Sequence, residues 1–539
     1  MAGFRFLELP DELQLRILSK LDARSILACR QVDPGLAQAI DEAVEMQYRL
    51  ELQFAGMIDG PPGTISVRDR LDALRAYRAA WNASRHPVHT LLVDSDILGP
   101  HLRGISHFEQ TTGRLRLHRP AGTFCGLTEY DAVFDELSER IAADWPYDRF
   151  AINYSEDFIA YISNSDSDPS GVYVHFASLS QNYQPHPLAN RPIIQTCSPL
   201  EDVGCWSVLG CSGDLVSWHL CRWGALPSEM MVVNWKTGTI VWHMHSTSDQ
   251  QFLTLQILTS THLVVIDDSD KFSLRIYAFD PSASDNAPLA TDSDCIYALA
   301  LPTRSHRVDD HWLRVAFEPQ PQFANDHPLF SHDPNLSLLA LTIMLGLSDT
   351  DFPSGLAHDG DCFLLLIPLE TLLRFDTADT ELLRGRIIPW EDWGPKGTKM
   401  LQIWEHVTQD VSVFGSRVAL PNWREIVEGK LQCLVTVYEV HKLANEVMPT
   451  SSDAADATRG QRADHERDAR AAASKLVVTD DDWITDSLAW KDPIHTTYPF
   501  RKTFRTITPS DVPYGEYQQT AVHPTADGLL YLIQKRRTT

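Results

Sequence analysis

LELPDELQLRILSKLDARSILACRQVDPGLAQAI, residues 7–40, opens the chain with three helix starts in close succession. The segment Leu9-Pro10-Asp11-Glu12-Leu13 is the clearest of them. Proline is tolerated in a first helical turn, where its missing N–H would lack a partner anyway. The carboxylates of Asp11 and Glu12 suit the positive end of the helix dipole. Leu13, Ile17 and Leu21 recur every fourth residue with Leu18 beside them, so one face is apolar. Asp22 ends that run, and Ser25 is placed to cap a short second helix containing Ile26 and Leu27. Asp33-Pro34 repeats the cap-then-proline signal. A third helix is predicted from there toward Phe54, with Leu36, Ile40, Val44 and Tyr48 on one side.

Three short helices in about 45 residues bury little surface. Their apolar positions either meet a partner or pack inward as a bundle, and helical spacing alone leaves both open. GMIDGPPGT, residues 56–64, is a turn-rich break. Beyond it Ser66 and Asp69 resemble a capping box, and Val67, Leu71, Leu74 and Trp81 recur at helical spacing. This helix is either a spacer that sets a distance or a helix packed on whatever follows.

From about residue 88 the pattern changes to short β-rich runs between Gly, Asp, Ser and Pro. Strands are predicted at Val172 to Phe176, Met230 to Trp235, Leu263 to Asp267, Leu274 to Phe279, Leu364 to Pro368 and Leu434 to Val440. MMVVNWKTGTIVWH, residues 230–243, reads as strand, Lys-Thr-Gly turn and strand, the glycine supplying a positive φ. KFSLRIYAFD follows about 45 residues later, close to a propeller-blade period. Hairpin after hairpin with few long helices predicts a degenerate β-propeller, with a pair of β-sandwiches as the alternative. Residues 450–475 contain no aromatic and almost no large apolar residue, and are expected to be a disordered or weakly helical insertion between strands.

Composition narrows the function. The chain has 539 residues and a net charge of −26, which repels phosphate backbones, so nucleic-acid binding is disfavoured. No apolar run approaches the roughly 20 residues of a membrane span. The start, MAGFRFLELPDELQ, lacks the features of a secretory signal, so an intracellular protein of cytoplasm or nucleus is expected. Nine cysteines without a CxxC pair read as reduced thiols rather than disulfides. The loose group Cys205, Cys211 and Cys221 matches no common zinc module.

The residue order of 7–40 resembles the F-box family: the opening Leu-Pro, the acidic-Leu step, the Ile-Leu pair, Leu21 and the step Arg30-Gln31-Val32. The likeness continues through MQYRLELQFAGMIDGPPGTISVRDRLDALRAYRAAW, residues 46–81, which is similar to F-box proteins of mushroom-forming fungi. Many F-boxes carry Trp after the Val step; Leu36 occupies that neighbourhood here and keeps it apolar. The resemblance implies binding to the Skp adaptor, and through it to cullin, in an Skp–cullin–F-box ubiquitin ligase. Carried over by motif position, the contact face is Leu9, Pro10, Leu13, Ile17, Leu18, Ile26, Leu27 and Val32. Each such side chain contributes on the order of 1.5–3 kcal/mol when fully desolvated. Ubiquitin transfer then belongs to other subunits, and this chain supplies proximity to an unidentified protein target.

The expected organisation is thus a small all-α F-box at residues 1–55, a helical spacer at 56–87 and a large all-β recognition domain at 88–539. The two patterns are separate, so the β region is expected to fold by itself. No catalytic motif stands out, and no cofactor or metal is expected. Residues 394–399, GPKGTK, have the wrong spacing for a phosphate loop, and Gly210-Cys211-Ser212-Gly213 is no nucleophile elbow. His465-Glu466 lacks the second histidine of a zinc protease. Trp206, Trp218, Trp223, Trp235 and Trp242 are predicted to fill cores. Three functions remain: a substrate receptor, a scaffold bound to the adaptor outside the ligase, and an enzyme with an unfamiliar site in the β region.

Overall fold

A computed structural model of the chain describes residues 6–83, 85, 87–93, 100–103, 106–111, 114–119, 130–135, 150–153, 156–164, 172–181, 183–196, 205–222, 225–245, 252–267, 272–283, 286–306, 308–317, 328–347, 361–376, 384–403, 411–427, 430–443, 482–484, 487, 489–507, 517–525 and 528–535. The expected insertion at 450–475, and with it His465-Glu466, lies outside the described residues.

Helices come first: α1 (Asp11–Leu18), α2 (Ala23–Val32), α3 (Pro34–Glu42), α4 (Val44–Ala55) and α5 (Val67–Asn82). Among the described residues no helix is long and apolar enough to cross a membrane. The predicted third helix is two. Ala43, at φ −80° and ψ 106°, leaves the helical region and separates α3 from α4. Asp22, rather than Ser25, caps α2: its carboxylate accepts the backbone N–H of Ser25 at 2.8 Å. Asp33 caps α3 ahead of Pro34, and Ser66 caps α5 by accepting the N–H of Asp69, both at the positions read from the sequence.

The rest is mostly antiparallel sheet. Among the described residues, six four-stranded units follow one another along the chain. They begin at Pro100, Phe150, Cys205, Phe252, Val308 and Ser412, and end at Asp135, Gln195, His245, Ala300, Ile403 and Ile507. The fourth also takes a parallel edge strand, Arg386–Ile388. A seventh sheet joins the two ends of the β region: Val88–Val93 runs parallel to Leu529–Lys535, which pairs antiparallel with Tyr517–Pro524. The six strands predicted from the sequence all form. The Lys-Thr-Gly hairpin forms between Ala225–Asn234 and Thr239–His245, with Gly238 at φ +75° and the Asn234 side chain accepting the N–H groups of Lys236 and Thr237.

Side-chain alternation shows how the sheets stack. On strand Leu338–Leu347, Leu339 and Leu341 enter a core with Val264, Ile266, Leu274 and Ile276 of the preceding sheet. Their neighbours Leu338 and Ala340 enter a different core, with Val418 and Leu420 of the following sheet. Leu263 and Val265 face back toward Met230 and Val232 in the same manner. A strand points successive side chains to opposite faces. Sheets apolar on both faces therefore read as continuous runs such as CFLLLIP, residues 362–368, and stack face against face. More than two layers pack this way, which no single sandwich does.

Trp218, Trp235 and Trp242 are buried in these cores, as predicted. Cys295, Cys362 and Cys433 are buried. Cys211 lies opposite Val216 and Cys221 opposite Trp206, so the same hairpin holds these two cysteines far apart. Residues 394–397 of GPKGTK end a helix, Trp390–Gly397, instead of forming a loop.

Candidate adaptor-binding surface

Helices α1–α4 enclose a small core of Leu18, Ala23, Ile26, Leu36, Ile40, Met46, Leu50 and Phe54. Polar contacts fix the helices around it. Gln14 donates to the Leu9 carbonyl at 2.7 Å, and the Ala23 N–H reaches the Gln53 side chain at 2.6 Å. Arg30 holds Asp41 through two hydrogen bonds of 2.9 Å, and that pairing raises the Arg30 pKa. At the head of α2, the Ser25 N–H lowers the pKa of the capping Asp22.

The eight residues assigned to the contact face divide. Leu18 and Ile26 are 1% and 0% exposed and sit in the small core that holds the helices together. Leu9 and Leu27 are half-buried, and Pro10 is exposed. Leu13 and Ile17 are 45% and 44% exposed on α1, and Val32 is 81% exposed at the end of α2. Leu7 is also exposed, in the short turn Phe6–Glu8. Sequence reasoning missed it because a single leucine ahead of the helix has no periodicity to mark it.

Solvated leucine and isoleucine side chains one turn apart are poorly matched to water, and burying them on association is favourable. Among the described residues the exposed motif positions of this surface are apolar side chains. The surface can bind by removing apolar area from water, with the buried members of the motif keeping the exposed ones in place.

The helices are fastened to the sheets. Helix α4 presents Met46, Leu50 and Phe54 to its own small core and Tyr48, Leu52 and Ala55 to a second one. That second core also contains Leu71, Leu74, Tyr77 and Trp81 of α5, together with Phe330, Phe414, Ala419, Val435, Val522 and Tyr531. A short strand, Met57–Asp59, pairs with Phe330–His332. Buried Arg417 joins Glu439 at 2.7 Å, donates to the Tyr77 hydroxyl and lies 4.4 Å from the centroid of the Trp81 ring. Arg501 shares Glu439 and also reaches Asn82. Arg70 meets Asp59 at 2.7 Å, and the Tyr48 hydroxyl donates to the same carboxylate. Helix α5 is therefore packed on the sheets, and no packing boundary falls at residue 88.

Two histidines sit in this junction. His332 accepts the Ser416 N–H at 2.8 Å, and burial with Arg417 and His441 nearby lowers its pKa to about 3. His441 is also lowered to about 3, by burial and then by Arg417 and Arg78.

The F-box domain model matches residues 6–32. F-box domains bind the Skp adaptor in general, and the proteins that carry them are generally non-catalytic adaptors. No curated protein sequence matches the chain. Among solved structures, the chain is similar to Kuenenia stuttgartiensis hydrazine synthase, at 11% identity, with 64% of this chain and 75% of that one covered and a TM-score of 0.29. The N-terminal domain of Nup159 follows at 7% identity, 78% and 99% coverage and a TM-score of 0.25. A prolyl endopeptidase is similar at 8% identity, 56% and 58% coverage and a TM-score of 0.17. TM-scores this low carry no argument about fold or activity.

Proposed function

We propose that this chain, an F-box protein, is the substrate-receptor subunit of an Skp–cullin–F-box ubiquitin ligase. The observation that carries the reading is the partition inside the matched segment. Leu18 and Ile26 of the motif close a core, while Leu13, Ile17 and Val32 stay in water on a fixed helical frame. Those three, with Leu9, Pro10 and Leu27 at the margin, form the adaptor contact. The β region presents the target, and we read it as a seven-bladed propeller. Six successive four-stranded sheets, of which the second to the sixth stack face to face, with a seventh built from both ends of the region, support that reading.

The receptor contributes position rather than chemistry. With the adaptor on one side and a target on the other, ubiquitin transfer becomes effectively intramolecular. The test is co-purification of adaptor and cullin with the tagged full-length chain, set beside Leu13→Asp and Ile17→Asp. A charge at a desolvated contact costs several kcal/mol, so either variant should lose the adaptor while keeping its circular dichroism spectrum. A folded variant that retains near-wild-type affinity would overturn the assigned face. Adaptor without cullin would favour the scaffold reading instead.

A further inference from the structure

The strand Val88–Val93 follows α5 and has one sheet neighbour among the described residues, Leu529–Lys535, with Val88 opposite Leu529 and Val93 opposite Gln534. Where the two segments first meet, the Pro87 carbonyl accepts the Leu529 N–H at 2.9 Å. Gly528 is pressed against the same carbonyl: a Cβ there would lie 2.1 Å from the Pro87 oxygen. Only glycine lets two backbones approach that closely. The turn holding Gly528 is itself fixed. Thr525 donates its N–H to the Gly528 carbonyl at 2.8 Å, and its hydroxyl accepts the Gly528 N–H at 3.1 Å. Helix α5 lies over the same seam. Its Leu71, Leu74, Tyr77 and Trp81 share one core with Ala419, Val435 and Ile507 of the sixth sheet and with Val522, Leu529 and Tyr531 of the seventh. Its last residue, Asn82, accepts from Arg501.

We propose that α5 is the clasp of the seventh sheet: the helix and the strand after it stay on the sheets only while the hairpin of 517–535 is closed against them. The hold on the helical end is then set from the far end of the β region. This goes beyond the adaptor reading and holds whatever partner meets the exposed motif residues. A strand with one sheet neighbour loses its ladder hydrogen bonds when that neighbour leaves. Losing Val522, Leu529 and Tyr531 also uncovers one wall of the core under α5. The cores between the second, third and fourth sheets share no residue with that one, so they can stay closed while the seam opens. Proteins open in such cooperative units, each with its own stability.

The test is hydrogen exchange read by mass spectrometry on the full-length chain and its Gly528→Val variant. A side chain at 528 should push the hairpin off Pro87, and the amides of 67–82 and 88–93 should exchange roughly tenfold or more faster. Strands Leu215–Arg222 and His262–Asp267, in the third and fourth sheets, should keep their wild-type rates and show that the variant is folded. Tyr77→Ala, made inside the helix, should in return speed exchange in 517–524 and 529–535. If Gly528→Val does not fold, Leu529→Ala opens a cavity in the same core and gives the same reading. Acceleration confined to 517–535, with α5 at its wild-type rate, overturns the clasp. So does loosening of α5 and the third sheet together, which makes the seam part of one global unfolding unit.

Discussion

Acidification should unfold this protein through three histidines, and the size of the effect follows from their burial. His332, His441 and His523 each have a pKa lowered from 6.5 to about 3, burial being the largest cause, with nearby arginines adding to it. Unfolding returns them to water, where they bind protons near 6.5. Between pH 3 and 6.5 the unfolded state holds more protons, so the stability they confer is complete above 6.5 and falls with pH below it. Going from about pH 7.5 to about pH 5, each costs roughly 2 kcal/mol, or about 6 kcal/mol for the three, against a typical domain stability of about 5–15 kcal/mol. Asp22, Asp280 and Asp294 have pKa values lowered from 3.8, so their contribution is lost only at more acid pH. Urea unfolding followed by the fluorescence of buried Trp218 and Trp235 across this range measures the slope. His332→Gln, which keeps an acceptor for the Ser416 N–H, should remove about a third of it. A stability that is flat to within about 0.5 kcal/mol over the range would refute neutral burial of these rings.

Leu18→Ala and Ile26→Ala should each destabilise the chain by about 2–5 kcal/mol in chemical denaturation, whereas Leu13→Ala should shift it by less than about 0.5 kcal/mol. A large loss from Leu13→Ala would mean that the solvated position belongs to the core. Starting the chain at residue 88 removes Leu71, Leu74, Tyr77 and Trp81 from the shared core, a loss on the order of 6–12 kcal/mol. That fragment should be insoluble or bind a hydrophobic dye, and a cooperatively folded fragment would contradict the shared core. Gly415→Ala should cost at least about 2 kcal/mol in thermal unfolding. Gly415 has φ +59°, and an added Cβ would lie 2.0 Å from the His332 ring.

What the sequence disclosed and what it hid have separate physical causes. Caps are local: Asp33 and Ser66 act within three residues, and both were legible. Asp22 competed with Ser25 for one helix start, and spacing could not rank an aspartate against a serine three residues later. The break at Ala43 was hidden because Leu36, Ile40, Val44 and Tyr48 keep a helical period straight across it. Their shared period concealed a change of core, since Leu36 and Ile40 pack with Leu18, while Tyr48 packs with Phe330. Burial on both faces made the strands easy to find, because runs such as residues 362–368 have few alternatives. Which motif leucines face water was not legible. Leu13 and Leu18 are both apolar residues of α1, and only the position of α2 and α3 decides that one is enclosed and the other solvated.

Helix α4 is the element from which the functional geometry follows. Its residues alternate between two cores: Met46, Leu50 and Phe54 toward the motif helices, and Tyr48, Leu52 and Ala55 toward the sheets. A helix packed on both sides cannot swing without opening one core, at about 2–5 kcal/mol for each large side chain left over a cavity. Arg24 adds a direct contact from α2 to the carbonyl of Lys442, just past the strand Lys430–Glu439. Leu443 packs against the motif core from the same segment. The exposed Leu13, Ile17 and Val32 are thus held at a set distance and angle from the sheets. On the receptor reading proposed above, a fixed span would concentrate ubiquitin transfer on target sites that lie within reach. The polar weld of Arg417, Glu439, Arg501 and Tyr77 serves the same end. Detaching α5 would take the Tyr77 hydroxyl and the Trp81 ring from buried Arg417, whose pair with Glu439 lies within the sheet, and a buried hydrogen bond left unmade costs about 1–3 kcal/mol.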